Sequence, residues 1–322
     1  MDSARSKEAG YIYAAITLLI WAGFVVVSRI GGTSTLNPFD IAALRIGTAA
    51  LVLSPWWVPR LMKPQLRQLR WYQSLLFALL AGIGYPLVAF TGMVYAPASH
   101  GAVLISGMLP FFTSVLAFAL IGERPGPARL GGLLLILLGV GLLFFSNAAQ
   151  PGVETKSVMG DLILLTASFL WALFTILLKR WHVRAFDVTL GVVAASALLY
   201  LPIYIVLLPK NIADASLGQS ALQAFFQGLL VVCVALWTYV KAAELLGAVR
   251  VVILLSGVPV VGVLLSVALL GEHLSAGSAM GAAIVFLGAL IGAMTKPVPR
   301  KLEGDLPVEN RREISWPVSK DQ

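Results

Sequence analysis

The chain has 322 residues, 59% of them hydrophobic and 12% charged, with a net charge of +8 and a mean hydropathy of +0.89. A soluble domain carries about 25% charged residues, so this composition excludes a water-solvated globule and fits a chain held mostly in lipid. The surplus Lys and Arg lie in short links rather than on one basic face, which speaks against nucleic acid as a partner, and the single cysteine, Cys233, rules out an internal disulfide.

Residues 1–10 read as a short cytoplasmic N-terminus. Tyr11 to Ile30 is too long for the apolar core of a signal peptide and has no A-x-A cleavage site after it, so it reads as a spanning helix. Ten such stretches are expected, at roughly 11–30, 39–57, 72–95, 99–121, 128–146, 160–180, 187–208, 219–240, 249–270 and 276–294. Each approaches the ~20 residues that cross a bilayer at ~1.5 Å per residue. Turn signals such as "GGTSTLNP", "RPGP" and "NAAQPG" punctuate the links. Residues 147–159 are expected to be an external linker, and the charged, proline-bearing stretch 295–322 a disordered cytoplasmic tail.

The first span places Thr17, Trp21, Phe24 and Ser28 on one face. The second buries Arg45 about two turns in, where a cation needs a carboxylate, carbonyls or water. Arg45 either binds an anionic group of a solute or locks to Asp40 or Glu272, and the structural reading is preferred. In the third span, "GIGYPLVAF" brings Gly82, Gly84, Tyr85 and Pro86 together ahead of Tyr95, predicting a kinked or partly unwound moving element. The fourth span aligns Ser99, Ser106 and Thr113 with Pro110, then stops at Gly122 and Glu123. His100, at its outer start, is the one histidine worth testing for titration, although an interfacial hydrogen bond is the preferred reading.

The sixth span aligns Ser168, Trp171, Thr175 and Lys179. Its tryptophan, like Trp21, lies near mid-span, where packing and cavity lining remain open alternatives. In the eighth, Gln219, Gln223, Gln227, Trp237, Thr238, Lys241 and Glu244 fall on one face of an otherwise apolar helix. Cavity lining is preferred over helix–helix hydrogen bonding for Gln223, Gln227, Trp237 and Thr238. The ninth span carries Ser256 and Pro259 and ends on Gly271 and Glu272.

With the N-terminus inside, the inner links and the two termini hold nearly all the Lys and Arg, beginning with Arg5, Lys7, Arg60, Lys63, Arg67 and Arg70. The outer links hold only Lys156 and Lys210. This bias puts both termini in the cytoplasm of a multi-pass protein of the inner membrane.

The halves repeat. A shift of about 150 pairs Trp21 with Trp171, Phe24 with Phe174 and Arg29 with Lys179. A constant shift of 149 pairs Pro110 with Pro259, Gly122 with Gly271, Glu123 with Glu272, Gly132 with Gly281 and Gly139 with Gly288. Five spans per half is an odd number, so the second copy enters the membrane upside down, as in many secondary transporters.

Tryptophans in "WAGF" and "WALF", the arginine of "ALRIGTAAL" and the two Pro…Gly-Glu endings together make the chain resemble the EamA-like branch of the drug/metabolite transporter superfamily over about residues 11–294. The resemblance implies an all-α membrane protein of ten transmembrane helices, as two inverted five-helix repeats (11–146 and 160–294) around a central cavity. It also implies alternating access for a small organic solute. Relatives often have a glutamate directly before the proline of span nine, where this chain has Val258.

The candidate substrate-binding residues are thus Trp21, Arg45, Tyr85, Tyr95, Ser106, Trp171, Thr175, Gln223, Gln227, Trp237, Thr238 and Ser256. Pro86, Pro110, Glu123, Pro259 and Glu272 are gating or structural candidates. The expected function is secondary transport, in the export direction, of a metabolite such as an amino acid or related amphiphile. The expected partners are that small-molecule substrate and the lipid bilayer; a homodimer is allowed but not indicated. Catalytic residues, metal and cofactors are not expected, because no Walker A motif and no metal-ligand spacing occur. An intramembrane enzyme and a non-transporting receptor or assembly subunit are the alternatives.

Overall fold

The computed structural model describes residues 2–63, 69–148 and 155–294. Ten long apolar helices match the ten expected spans in number and order. They are α1 (Asp2–Gly32), α2 (Pro38–Met62), α3 (Trp71–Tyr95), α4 (Ala98–Ile121), α5 (Pro127–Ala148), α6 (Thr155–Trp181), α7 (Ala185–Leu207), α8 (Leu217–Leu246), α9 (Ala248–Leu255 continuing as Val258–Leu270) and α10 (Ala276–Met294). Helix α1 starts well before residue 11, since the polar stretch "DSARSKEA" holds no helix breaker. The expected tail and residues 149–154 of the expected linker lie outside the described residues.

Local chemistry sets the ends. At α2, Asn37 Oδ1 accepts from the Asp40 amide (2.9 Å) and Asp40 Oδ2 from the Asn37 amide (3.0 Å), a reciprocal cap followed by Pro38. Ser216 and Gln219 repeat the device at α8 (3.2 and 3.1 Å). The Pro…Gly-Glu motif also resolves physically. In α4 and α9 the chain breaks its α-helix just before the proline and restarts a 13-residue helix. That helix stops where Gly122 (φ 77°) and Gly271 (φ 65°) turn left-handed, a conformation that glycine adopts without a Cβ penalty.

The third span is not unwound. It widens into a π-helix at Ala78–Gly84 and returns without a break to an α-helix at Tyr85–Tyr95, so Pro86 sits inside a continuous span just after the widened turn. Its repeat-mate α8 widens likewise at Ala224–Val234. A third π segment, Ala102–Gly107, lies in α4, whereas the matching part of α9 is α-helical. One extra residue absorbed there explains why the repeat offset falls from 150 to 149 between Trp171 and Pro259.

The halves are interwoven. Helix α1 packs on α8 and α9, and correspondingly α6 packs on α3 and α4; α2 lies against α8 as α7 does against α3. Helices α5 and α10 pair closely, with Gly132 facing the Gly288 backbone and Gly139 facing that of Gly281. A Cβ at Gly132 or Gly139 would stand 2.7 or 2.6 Å from those carbonyl oxygens. The crossed order shows that the two equivalent helices run antiparallel, which is the signature of inverted copies. The same exchange relates Gly10, abutting Leu246, to Gly160, abutting Ala96.

Candidate functional site

Three residues of the α8 polar stripe face the bundle interior. Gln223 Nε2 donates to the Val27 carbonyl (2.9 Å), Gln227 Nε2 to Ser28 Oγ (3.1 Å), and the Thr238 and Thr17 hydroxyls bond at 2.8 Å. All three α8 residues are fully buried. They form helix–helix hydrogen bonds with α1 rather than an open cavity wall, because an amide among apolar neighbours must find a partner. One acceptor is left over: among the described residues, Gln223 Oε1 is buried with no partner. Trp237 projects outward, half exposed, with its ring edge-on to Tyr13 at 5.4 Å.

Arg45 lies at the centre, 7% exposed. Neither partner weighed for it is engaged with it. Asp40 is taken up by the α2 cap, the Tyr204 hydroxyl (2.5 Å) and the Asn211 amide (3.1 Å). Glu272 accepts from the amides of Ala98 (2.6 Å) and Ser99 (2.9 Å). Arg45 instead makes two long contacts from Nη1 to Gln227, at 3.3 Å to Oε1 and 3.5 Å to the carbonyl.

An aromatic file leads away from the guanidinium. Phe24 lies 6.0 Å from it, Tyr85 stacks on Phe24 at 6.0 Å, Trp171 meets Tyr85 at 4.8 Å and Phe174 meets Trp171 at 5.2 Å. The file continues through Phe77 to Trp181 at the end of the bundle where α1 begins. There Trp181 borders a cleft of about 300 Å³ with Arg70, Gln73, His182, Arg184 and Asp187.

The remaining candidates are more dispersed. Trp21 is half-buried and stacks on Tyr239 at 5.7 Å. The hydroxyls of Thr175 and Ser256 bond back to their own helices, at Trp171 (2.8 Å) and Ile253 (2.6 Å). Ser106, on the α4 π segment, and Tyr95, at the end of α3, are half-buried and stand apart from Arg45 along the chain. Pro110 and Pro259 open the second segments of α4 and α9.

The two faces of the bundle are tied differently. At the face where α4 begins, Glu272 grips the α4 amides, Arg29 donates to the carbonyls of Met93 (2.7 Å) and Val94 (2.9 Å), and His100 Nδ1 meets Asp161 Oδ1 at 2.9 Å. That last pair is almost wholly buried, at 6% and 0% exposure. At the other face Glu123 pairs with Lys179 at 2.5 Å, and these side chains are 22% and 51% exposed. Arg180 also reaches the Leu120 carbonyl there (3.3 Å). Among the described residues, no group of His, Cys, Asp or Glu is arranged to hold a metal.

Sequence reasoning overlooked Asp161, Tyr204 and Tyr239. A lone carboxylate inside an apolar span was the available signal for Asp161; nothing in the pattern singled out the two tyrosines.

The sequence model described as the EamA-like transporter family matches residues 8–145 and 158–293. The chain is 29% identical over 169 residues to an uncharacterized transporter of Archaeoglobus fulgidus, spanning 52% of this chain and 56%, little over half, of that protein. It is 26% identical to the uncharacterized transporter YyaM of Bacillus subtilis (82% of this chain, 87% of that protein) and 27% identical to YwfM of the same organism (91% and 96%). A solved crystal structure at 21% identity superposes with a TM-score of 0.57 over 89% of this chain and 95% of that one, which shows a common fold.

Proposed function

The chain belongs to the EamA-like transporter family and is an integral, multi-pass membrane protein, and from that premise we propose that it is a secondary transporter exporting a small organic metabolite, such as an amino acid or related amphiphile, across the inner membrane. Transport proceeds by alternating access between the two inverted halves. The solute sits between them, beside Arg45, Tyr85 and Trp171, with Gln227 behind. The excess of Lys and Arg at the face where α1 begins supports a cytoplasmic orientation for that face.

One observation carries this reading: the two copies of a single motif make unlike contacts. Glu272 holds the start of α4 through two amides, while Glu123 holds a partly exposed lysine of α6. A carrier with one sealed and one loosened face has that asymmetry, and exchanging the two contact sets opens the other side. Six further ties at the α4-start face, from Arg29, His100, Asn37, Tyr204 and Asn211, favour it as the sealed one.

Purified protein in liposomes, assayed with a broad panel of labelled metabolites, tests the proposal. Saturable uptake accelerated by unlabelled solute on the opposite side is expected. Flux that is linear in concentration and equal to empty liposomes for the whole panel rejects it.

A further inference from the structure

Among the described residues, Arg45 is a buried cation without a counter-charge. Among the described residues no carboxylate lies within ion-pair distance of it, and its only hydrogen bonds are the two long ones to Gln227. A guanidinium has five N–H donors in a planar fork, so most of this one's capacity is unused at 7% exposure. An ion in that position is costly unless something pairs with it. The two acidic partners weighed from the sequence, Asp40 and Glu272, are each held by other donors. The face of Phe24 lies 6.0 Å away, and its ring stacks on Tyr85, which in turn meets Trp171.

We propose that Arg45 is the anion-binding centre of the transport site and that the transported solute is an organic carboxylate with a flat apolar body. The carboxylate takes the fork side-on through two parallel N–H···O bonds, a geometry that an ammonium or a neutral amide cannot reproduce. The body lies along the aromatic wall. The fully buried, unpartnered Gln223 Oε1, one helical turn from Gln227, is a further sign that the interior is polar beyond what its own contacts use. Charge pairing then supplies affinity and rejects cations by the same group.

This inference rests on the carrier reading, and the test separates the two. Indole-3-acetate, indole-3-acetamide and tryptamine share one ring system and differ in charge. Equilibrium binding and proteoliposome flux are measured with each on the full chain, wild type, Arg45→Lys and Arg45→Met. The wild type is expected to bind indole-3-acetate at least about tenfold more tightly than the other two, the scale of a hydrogen-bonded charge pair. Arg45→Lys should weaken the acid several-fold, and Arg45→Met should abolish its advantage.

Equal or better binding of the amide or amine by the wild type overturns the proposal, as does failure to bind the acid at all. If the amide or amine is carried while the acid is not, the carrier reading stands and this one falls. Should Arg45→Met not fold, the charge preference of the wild type and Arg45→Lys still decides. Variants that lose only thermal stability while keeping the acid preference mark Arg45 as structural and overturn the proposal.

Discussion

A carboxylate just past the C-terminal end of a helix opposes the local dipole, and Glu272 escapes that penalty by serving another helix. Its two oxygens satisfy the first amides of α4, which a helix start leaves unpaired. Glu272→Ala should therefore cost roughly 1.5–3 kcal/mol, the range for hydrogen bonds to charged groups. In a Cys233→Ala background it should also speed labelling of a cysteine at position 97 by an impermeant maleimide. Unchanged melting temperature and labelling would remove Glu272 from the gate. His100 and Asp161 make a second test. Each single alanine variant should lose roughly 1.5–3 kcal/mol, the range for hydrogen bonds to charged groups, and the double variant clearly less than the sum. An additive double variant would show that the pair is not energetically coupled. At this scale the sequence conveyed character but not partners. It marked Glu272 as a clamp without indicating the α4 amides, and it marked Arg45 as needing company without indicating Gln227. Pairings across more than a hundred residues depend on tertiary geometry that no local pattern encodes.

Helices α5 and α10 touch backbone to backbone, and the glycines facing the contact cannot be enlarged. Gly139→Leu would drive side-chain atoms into the Gly281 carbonyl and should prevent recovery of folded protein. Gly141→Ala, where nothing lies within 4 Å, should be neutral or slightly stabilising. Comparing elution profiles and melting temperatures of the two decides the matter, and equal behaviour would refute the close contact. Gly271→Ala, in a left-handed turn with open space around it, isolates the conformational cost alone, about 1–2 kcal/mol. Elements were the most legible level. Apolar runs of bilayer length fix the spans, and the Pro…Gly-Glu spacing fixes where α4 and α9 restart and stop. The π segments were hidden, because a widened turn keeps the same apolar composition as an α-helix. The α8 stripe was seen, but its destination was not: a polar face can meet a neighbouring helix as well as water. Three of its side chains meet α1.

Across the whole molecule, exchange of the halves maps the packing of α1 on α8 and α9 and of α2 on α8 onto that of α6 on α3 and α4 and of α7 on α3. Yet α1 also packs on α3 with no comparable α6–α8 contact among the described residues, and the Glu123 and Glu272 contacts differ too. An inverted repeat whose halves share most of their packing but differ in these contacts has a second conformation of similar energy available, reached by trading them. The repeat itself was readable from aligned Trp, Pro, Gly and Glu residues; the inequality of its ends was not, since both ends carry the same motif. Paired spin labels in the Cys233→Ala background measure that trade, with one pair at positions 159 and 273 on the α4-start face and another at 8 and 124 on the opposite face. As a transported solute is added, one distance should lengthen while the other shortens, in proportion to site occupancy. Two distances that stay fixed, or that lengthen together, at solute concentrations supporting flux would contradict alternating exposure of the two faces.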